Sequence, residues 1–190
     1  MSLASRVDPL AVRTTAVDLV SDQPSGHSGT FHYHQLAELH RFVDENVTYV
    51  PDPRSRNYVA PPEETLETNG GDCDCQAVLV ASLFEAIGAT TRLVTCESTD
   101  GNWHALTEVY LADTDEEAAS VADSLGEYYA PRGGYSQFWY DYGDGKLWYP
   151  ADTAMGRYVG DVHQLAENGY VHRTESDGTW SWHNVEYDYP

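Results

Sequence analysis

The octapeptide Gly70-Gly71-Asp72-Cys73-Asp74-Cys75-Gln76-Ala77 leads into a run rich in Ala, Val, Leu and Phe that stops at Gly88. Gly-Gly-Asp is turn chemistry and a glycine often ends a helix, so the pattern predicts a helix from Cys73 to Ile87. Its apolar residues fall on more than one face, which makes it a buried central helix around which the rest of the chain must pack. A thiol occupies its first turn. Unpaired N–H groups and the positive end of the helix dipole both favour thiolate there, and thiolate is the nucleophilic form.

The segments on either side read as helices first and strands later. Leu36, Leu39, Phe42 and Val43 fall at helical spacing between His32 and Asn46, and Val47 to Val50 is extended. A loop punctuated by Pro61-Pro62 runs to Thr65. After the cysteine helix, Thr90 to Cys96 and Trp103 to Leu111 read as strands joined by a turn-rich loop, and Leu147 to Asp152 as a further strand. Between them, residues 113–146 read as an insertion with a solvent-facing helix from Glu116 and an aromatic loop, Tyr135 to Tyr142, expected to line the cleft or seal the insertion's own core. Tyr170 to Arg173 and Thr179 to Val185 form a hairpin around Ser176-Asp177-Gly178. Residues 1–30 show no clear periodicity beyond a short packed segment at Asp8 to Val12. This order predicts one α+β domain over 1–190.

Two downstream motifs supply what a cysteine nucleophile needs. Trp103-His104-Ala105 offers a base, and Trp148-Tyr149-Pro150-Ala151-Asp152 a carboxylate to orient it. In this order the residues resemble the transglutaminase-like superfamily, with its Gly-Asp-Cys helix, His-Ala strand and Trp-x-x-x-Asp strand. Val47-Thr48-Tyr49, Pro62-Glu63-Glu64-Thr65-Leu66 and Gly88-Ala89-Thr90-Thr91-Arg92-Leu93-Val94 resemble other parts of the family pattern, and the resemblance covers about residues 35–155. It implies a papain-like fold, a Cys73–His104–Asp152 triad and acyl transfer from amides of a protein or peptide substrate through a thioester. It implies no cofactor and no metal. The gap from His104 to Asp152 exceeds the short hairpin many members have, and Asp141 and Asp144 precede the same strand. The backbone N–H of Cys73 is one oxyanion donor; Tyr49, Asn69 and Trp103 are candidates for the second.

Duller roles exist for the same residues. Cys75 and Cys96 read as core, His32, His34 and His40 as surface residues around the first helix, and His183 as structural. Trp180 and Trp182 share one strand face. The alternatives to an enzyme are a catalytically inactive binding module of the same fold and a metal module using Cys73, Cys75, Cys96 and His104, which lacks the paired knuckles of common zinc sites.

Charge narrows the function classes further. Asp and Glu number 31 against 10 Lys and Arg, a net charge of −21 on 190 residues, and Lys146 is the lone lysine. Such a surface repels phosphate backbones and anionic lipid, so nucleic-acid and membrane roles are not expected. No run approaches the roughly 18 apolar residues of a membrane span, no apolar signal region opens the chain, and three cysteines do not make a disulfide framework. These features point to a cytoplasmic location. Scattered acids with almost no lysine read as a halophilic solvating surface, against the plainer alternative of an ordinary acidic cytosolic protein. Molar salt shrinks the Debye length to about 3 Å and quenches carboxylate repulsion. The melting temperature should therefore climb as KCl is raised from low to molar concentration; a flat response would refute the halophilic reading.

Overall fold

A computed structural model describes residues 2–26, 30–52, 58–135, 137–174 and 179–190. The cysteine helix organises it. Helix α4, Cys73–Ala86, buries every residue from Asp74 to Phe84. At its C-terminal end Gly88 takes φ +95°, a backbone that favours glycine. The Gly88 N–H then reaches the Glu85 carbonyl and the Ala89 N–H the Phe84 carbonyl, closing a Schellman motif. At the other end Asp72 is the N-cap, its side chain accepting the Cys75 N–H at 3.4 Å.

A helix buried all round needs cover on every side. Three helices supply one side: α1, Pro9–Val20; α2, Tyr33–Asn46; and α3, Pro62–Thr68. Val12, Ala16 and Val20 of α1 join Leu36, Leu39 and Val43 of α2 against Leu79, Leu83 and Phe84 of α4. Two of these helices were not expected. Helix α1 carries Asp8 as N-cap and Pro9 in its first turn, and Pro62 begins α3 where the two prolines read only as loop punctuation. Two short parallel strands, β1, Thr48–Tyr49, and β2, Gly70–Gly71, tie the end of α2 to the start of α4.

The other side of α4 is a sheet. Strands β3, Thr91–Glu97, and β4, Trp103–Ala112, form the predicted hairpin. With β5, Asp141–Gly143, β6, Lys146–Ala151, and β9, Asn184–Asp188, they make an antiparallel sheet in the order β5-β6-β4-β3-β9. Leu93 and Ala105 face Ala77 and Ala81 of α4, and the Thr107 hydroxyl donates to the Ala77 carbonyl at 2.6 Å. Residues of opposite parity face a second core: Val94, Cys96 and Leu106 pack with Trp139, Val162, Leu165 and Tyr170. Helix α6, His163–Glu167, and the hairpin of β7, Val171–Thr174, with β8, Thr179–Trp182, cover that face. The expected final strand therefore divides: its first part pairs with β7, while β9 crosses to the free edge of β3. The turn expected at Ser176-Asp177-Gly178 lies outside the described residues.

The insertion packs more deeply than expected. Helix α5, Asp115–Tyr129, exposes its acids but buries Ala118, Val121, Leu125, Tyr128 and Tyr129. The rings of the aromatic loop pack into the cores: Tyr135 stacks on Tyr158 at 3.9 Å, Phe138 meets Tyr129 and Tyr158, Tyr140 meets Tyr149, and Trp139 enters the second core. Tyr142 alone of these rings is largely exposed.

Arg92 binds the sheet laterally. It is 1% exposed, donates to Glu108 at 2.6 Å and Asp141 at 2.8 Å, and lies between the rings of Trp148 and Tyr187. Breaking a buried pair on one side strands the other charge, at about 3–5 kcal/mol. Arg92→Met should lower unfolding free energy by about that amount in urea titrations, and Arg92→Met with Glu108→Met should recover most of the loss.

Candidate active site

The three candidate residues arrive from three elements. Cys73 opens α4 and is partly exposed. His104 is the second residue of β4 and is buried. Asp152 lies one residue past the end of β6, whose pairing with β4 ends at Thr107 and Ala151. The structure brings the last two together. His104 Nε2 donates to Asp152 Oδ2 at 2.8 Å with both side chains 2% exposed. That bond leaves Nδ1 as the second ring nitrogen, and the Cys73 thiol is among the groups near enough to raise the His104 pKa. The long insertion does not displace the carboxylate. The two competitors are occupied elsewhere: Asp141 pairs with Arg92, and Asp144 sits at φ 54° in the β5–β6 turn.

Burial opposes charge on both members of the pair, and specific contacts overcome it. For His104 burial lowers the pKa, but the Asp152 carboxylate and then the Cys73 thiol raise it to about 10. Asp152 is pushed up by burial and held below its ordinary value by His104 and by the N–H groups of Ala154 and Met155, which donate to Oδ1 at 2.9 and 3.1 Å. Every oxygen of that carboxylate is therefore engaged.

Residues outside the sequence pattern complete the frame. The Asp152 carbonyl accepts the Gly156 N–H at 3.1 Å; a Cβ at Gly156 would stand 2.6 Å from that oxygen, so the turn admits only glycine. The same carbonyl accepts from His40 Nε2 at 3.0 Å. His40 is fully buried on α2, which corrects its assignment to the surface. Gln76 links helix to loop, its amide donating to the Gly71 carbonyl at 3.1 Å while its oxygen accepts the Thr153 hydroxyl at 2.9 Å. The Tyr170 ring lies against His104, centroids 5.5 Å apart.

The other cysteines stay out of this chemistry. Cys75 is buried, its sulfur accepting the Ala60 N–H at 3.3 Å, and burial first pushes its thiol up to about 12. Burial raises Cys96 as well. The metal set Cys73, Cys75, Cys96 and His104 is not assembled. Among the described residues the one group of converging ligand atoms is Asp72, Asp74 and Cys75, within 4.8 Å of one another. Asp72 already caps α4, and burial and Asp72 push the Asp74 carboxyl up to about 7. Of the second oxyanion candidates, Tyr49 lies on β1 beside Gly71, its hydroxyl pKa raised by burial and then by Cys73. A cavity of about 750 Å³ opens near Gly88 at the opposite end of α4, and none of the three candidate residues lines it.

A thiol at the first turn of a buried helix, beside a histidine–aspartate pair on a curled antiparallel sheet, defines a papain-like α+β domain. The family model described as the transglutaminase-like superfamily matches residues 25–153, and the chain belongs to that superfamily. No curated protein matches it. Among solved structures it is similar to a "putative cysteine protease" from Cytophaga hutchinsonii, at 16% identity and a TM-score of 0.50 over 96% of this chain and 51% of that one. It thus spans about half of that protein. Calcium-bound LapG from Legionella pneumophila is similar at 17% identity and a TM-score of 0.45, covering 75% of this chain and 61% of that one. The likeness to the Cytophaga protein is one of fold alone.

The pair sets a pH window for stability. His104 has its folded pKa raised above the unfolded value, so its contribution is full below about 6.5 and fades as pH rises towards about 10. Asp152 is lowered, so its contribution is present above about 3.9 and is lost on acidification. The pair should stabilise most between about pH 4 and 6.5. Unfolding titrations of wild type and His104→Gln should show the wild type losing more stability between pH 6.5 and 10.

Proposed function

We propose that this chain is a cysteine enzyme acting on amide bonds of proteins or peptides, with Cys73 as nucleophile, His104 as general base and acid, and Asp152 as the group that orients His104. The buried His104–Asp152 hydrogen bond at the mouth of the cysteine helix carries this reading. A raised imidazole beside a thiol favours transfer of the thiol proton, leaving thiolate and imidazolium. The thiolate sulfur attacks the amide carbon, a C–S bond forms, and the carbonyl electron pair moves to oxygen. Helix N-terminal N–H groups near Cys73 stabilise that oxyanion. Collapse breaks the C–N bond, and the amine leaves with the proton held by His104. A water or amine acceptor then gives its proton to His104 and attacks the thioester, breaking the C–S bond and restoring the thiolate. Water makes the enzyme a protease or amidase, an amine a transamidase.

The remaining composition-based expectations belong to the same proposal: an acidic, salt-adapted protein working in the cytoplasm on a protein or peptide substrate, without nucleic acid or membrane as partner. No helix among the described residues is long and apolar enough to cross a membrane.

Iodoacetamide at neutral pH should modify Cys73 far faster than Cys75 or Cys96, read by peptide mapping, because burial raises the other two thiols. Against a panel of peptide, isopeptide and glutamine substrates in high salt, Cys73→Ala should abolish turnover. Asp152→Asn should reduce kcat by about 10³-fold or more, since it loses the orienting charge. Equal alkylation of all three cysteines in the folded protein would sink the proposal.

A further inference from the structure

We infer that His40 is a positioning residue for the Asp152–His104 pair, holding the main chain of Asp152 from the helical layer. The inference rests on the triad reading above. Asp152 has left the sheet, because the β4–β6 ladder ends at Ala151. Its carbonyl has no strand partner and is held by two donors from outside the ladder, the Gly156 N–H and His40 Nε2. One belongs to the same loop. His40 is the one anchored on an independent element, α2, 112 residues away in sequence. The peptide plane at Asp152 determines where its Cβ points, and so where Oδ2 meets His104; a displacement near 1 Å in such a frame is enough to cost much of its effect.

The chemistry of the imidazole suits this task. A carbonyl only accepts, so Nε2 must carry the hydrogen. Nδ1 is buried and has no hydrogen-bond partner, so protonating it would leave an unpaired N–H in the interior. The ring is therefore the neutral Nε2–H tautomer. Acidic groups face it from three elements: Asp44 one turn along α2, Asp152 after β6, and Asp161 before α6. Burial outweighs all three and lowers the His40 pKa. Asp161 is meanwhile engaged by Arg157 and His163. A neutral donor at this point fixes the carbonyl without adding a second positive charge that would compete with His104 for the carboxylate.

The reading can be separated from a merely structural role by the rate of Cys73 alkylation as a function of pH, which needs no substrate. In His40→Leu the carbonyl keeps only Gly156. Neutral-pH alkylation of Cys73 should slow about fivefold or more, with the acid limb of the profile moved to higher pH, because a loosened Asp152 supports the imidazolium less well. In His40→Gln the side-chain amide reaches the place of Nε2 and donates the same bond, so the profile should return to within about twofold of wild type. In His40→Asn the amide stops one carbon short, about 1.5 Å, and should not rescue. Circular dichroism and melting curves establish which variants fold. If His40→Leu does not fold, the Gln and Asn variants decide: Gln fast with Asn slow supports the inference. A folded His40→Leu with the wild-type profile, or Gln and Asn behaving alike, overturns it. His104→Ala serves as the reference. If that variant also alkylates at the wild-type rate, the triad reading itself fails; if it is slow while His40→Leu is not, only the role of His40 is refuted.

Discussion

The need to bury α4 on all sides governs this fold. A helix that is apolar all round cannot lie on a surface, so three helices must close one side and a sheet the other. Only the ends of such a helix can meet solvent. The N-terminal end carries Cys73, partly exposed, while Gly88 turns the chain into β3 at the other. The depth of α4 thus fixes where the Cys73 thiol can be reached, and the start of β4 and the end of β6 are the strand positions that bring His104 and Asp152 together. The hydrophobic core and the candidate site are consequences of one packing problem.

What could be read in the sequence follows from how local each signal is. The cysteine helix was legible because its N-cap, apolar body and terminal glycine lie within one short segment, and the β3–β4 hairpin because its strands and turn are contiguous. His104 and Asp152 were legible through motif order. Their 2.8 Å contact across 48 residues was not, since it depends on the β4–β6 register. Some local signals went unread. Asp8-Pro9 is a helix start, and Val12, Ala16 and Val20 recur at four-residue spacing, yet the Thr and Ala residues between them blur the stripe of α1. Asp144-Gly145 is a hairpin turn that announces β5. β9 had no local signal, because a strand that changes partners after His183 looks continuous in sequence.

His40 shows the difference between composition and placement. Its spacing of four from Leu36 and three from Val43 puts it on the buried face of α2, whereas its chemistry suggested solvent. A polar residue on an apolar stripe must find a partner or carry a desolvation cost of about 1–3 kcal/mol. The partner here is a main-chain carbonyl, which no sequence pattern identifies. The same blindness applies to Gln76, whose two hydrogen bonds join Gly71 to Thr153. Such frame residues bind backbone, so their identity is set by reach and donor type rather than by any motif.

The electrostatics also shift the weight of the argument away from the helix terminus. A helix dipole contributes about 0.3–1 kcal/mol to a nearby anion and amounts to roughly half a charge. At Cys73 that half charge is opposed by Asp72 in the cap and by Asp74 in the same turn, on a molecule of net charge −21. The Asp74 carboxyl relieves part of this conflict, since burial and Asp72 raise its pKa to about 7 and leave it only about half ionised at neutral pH. An imidazolium at His104, as proposed above, would carry a full positive charge, more than the helix end offers. That charge is tolerable in the interior only because Asp152 faces it, and Asp152 is tolerable only because two N–H groups and His104 fill its oxygens. In so acidic a protein the charge of His104 therefore depends less on where the cysteine helix begins than on how firmly the Asp152 carboxylate is held.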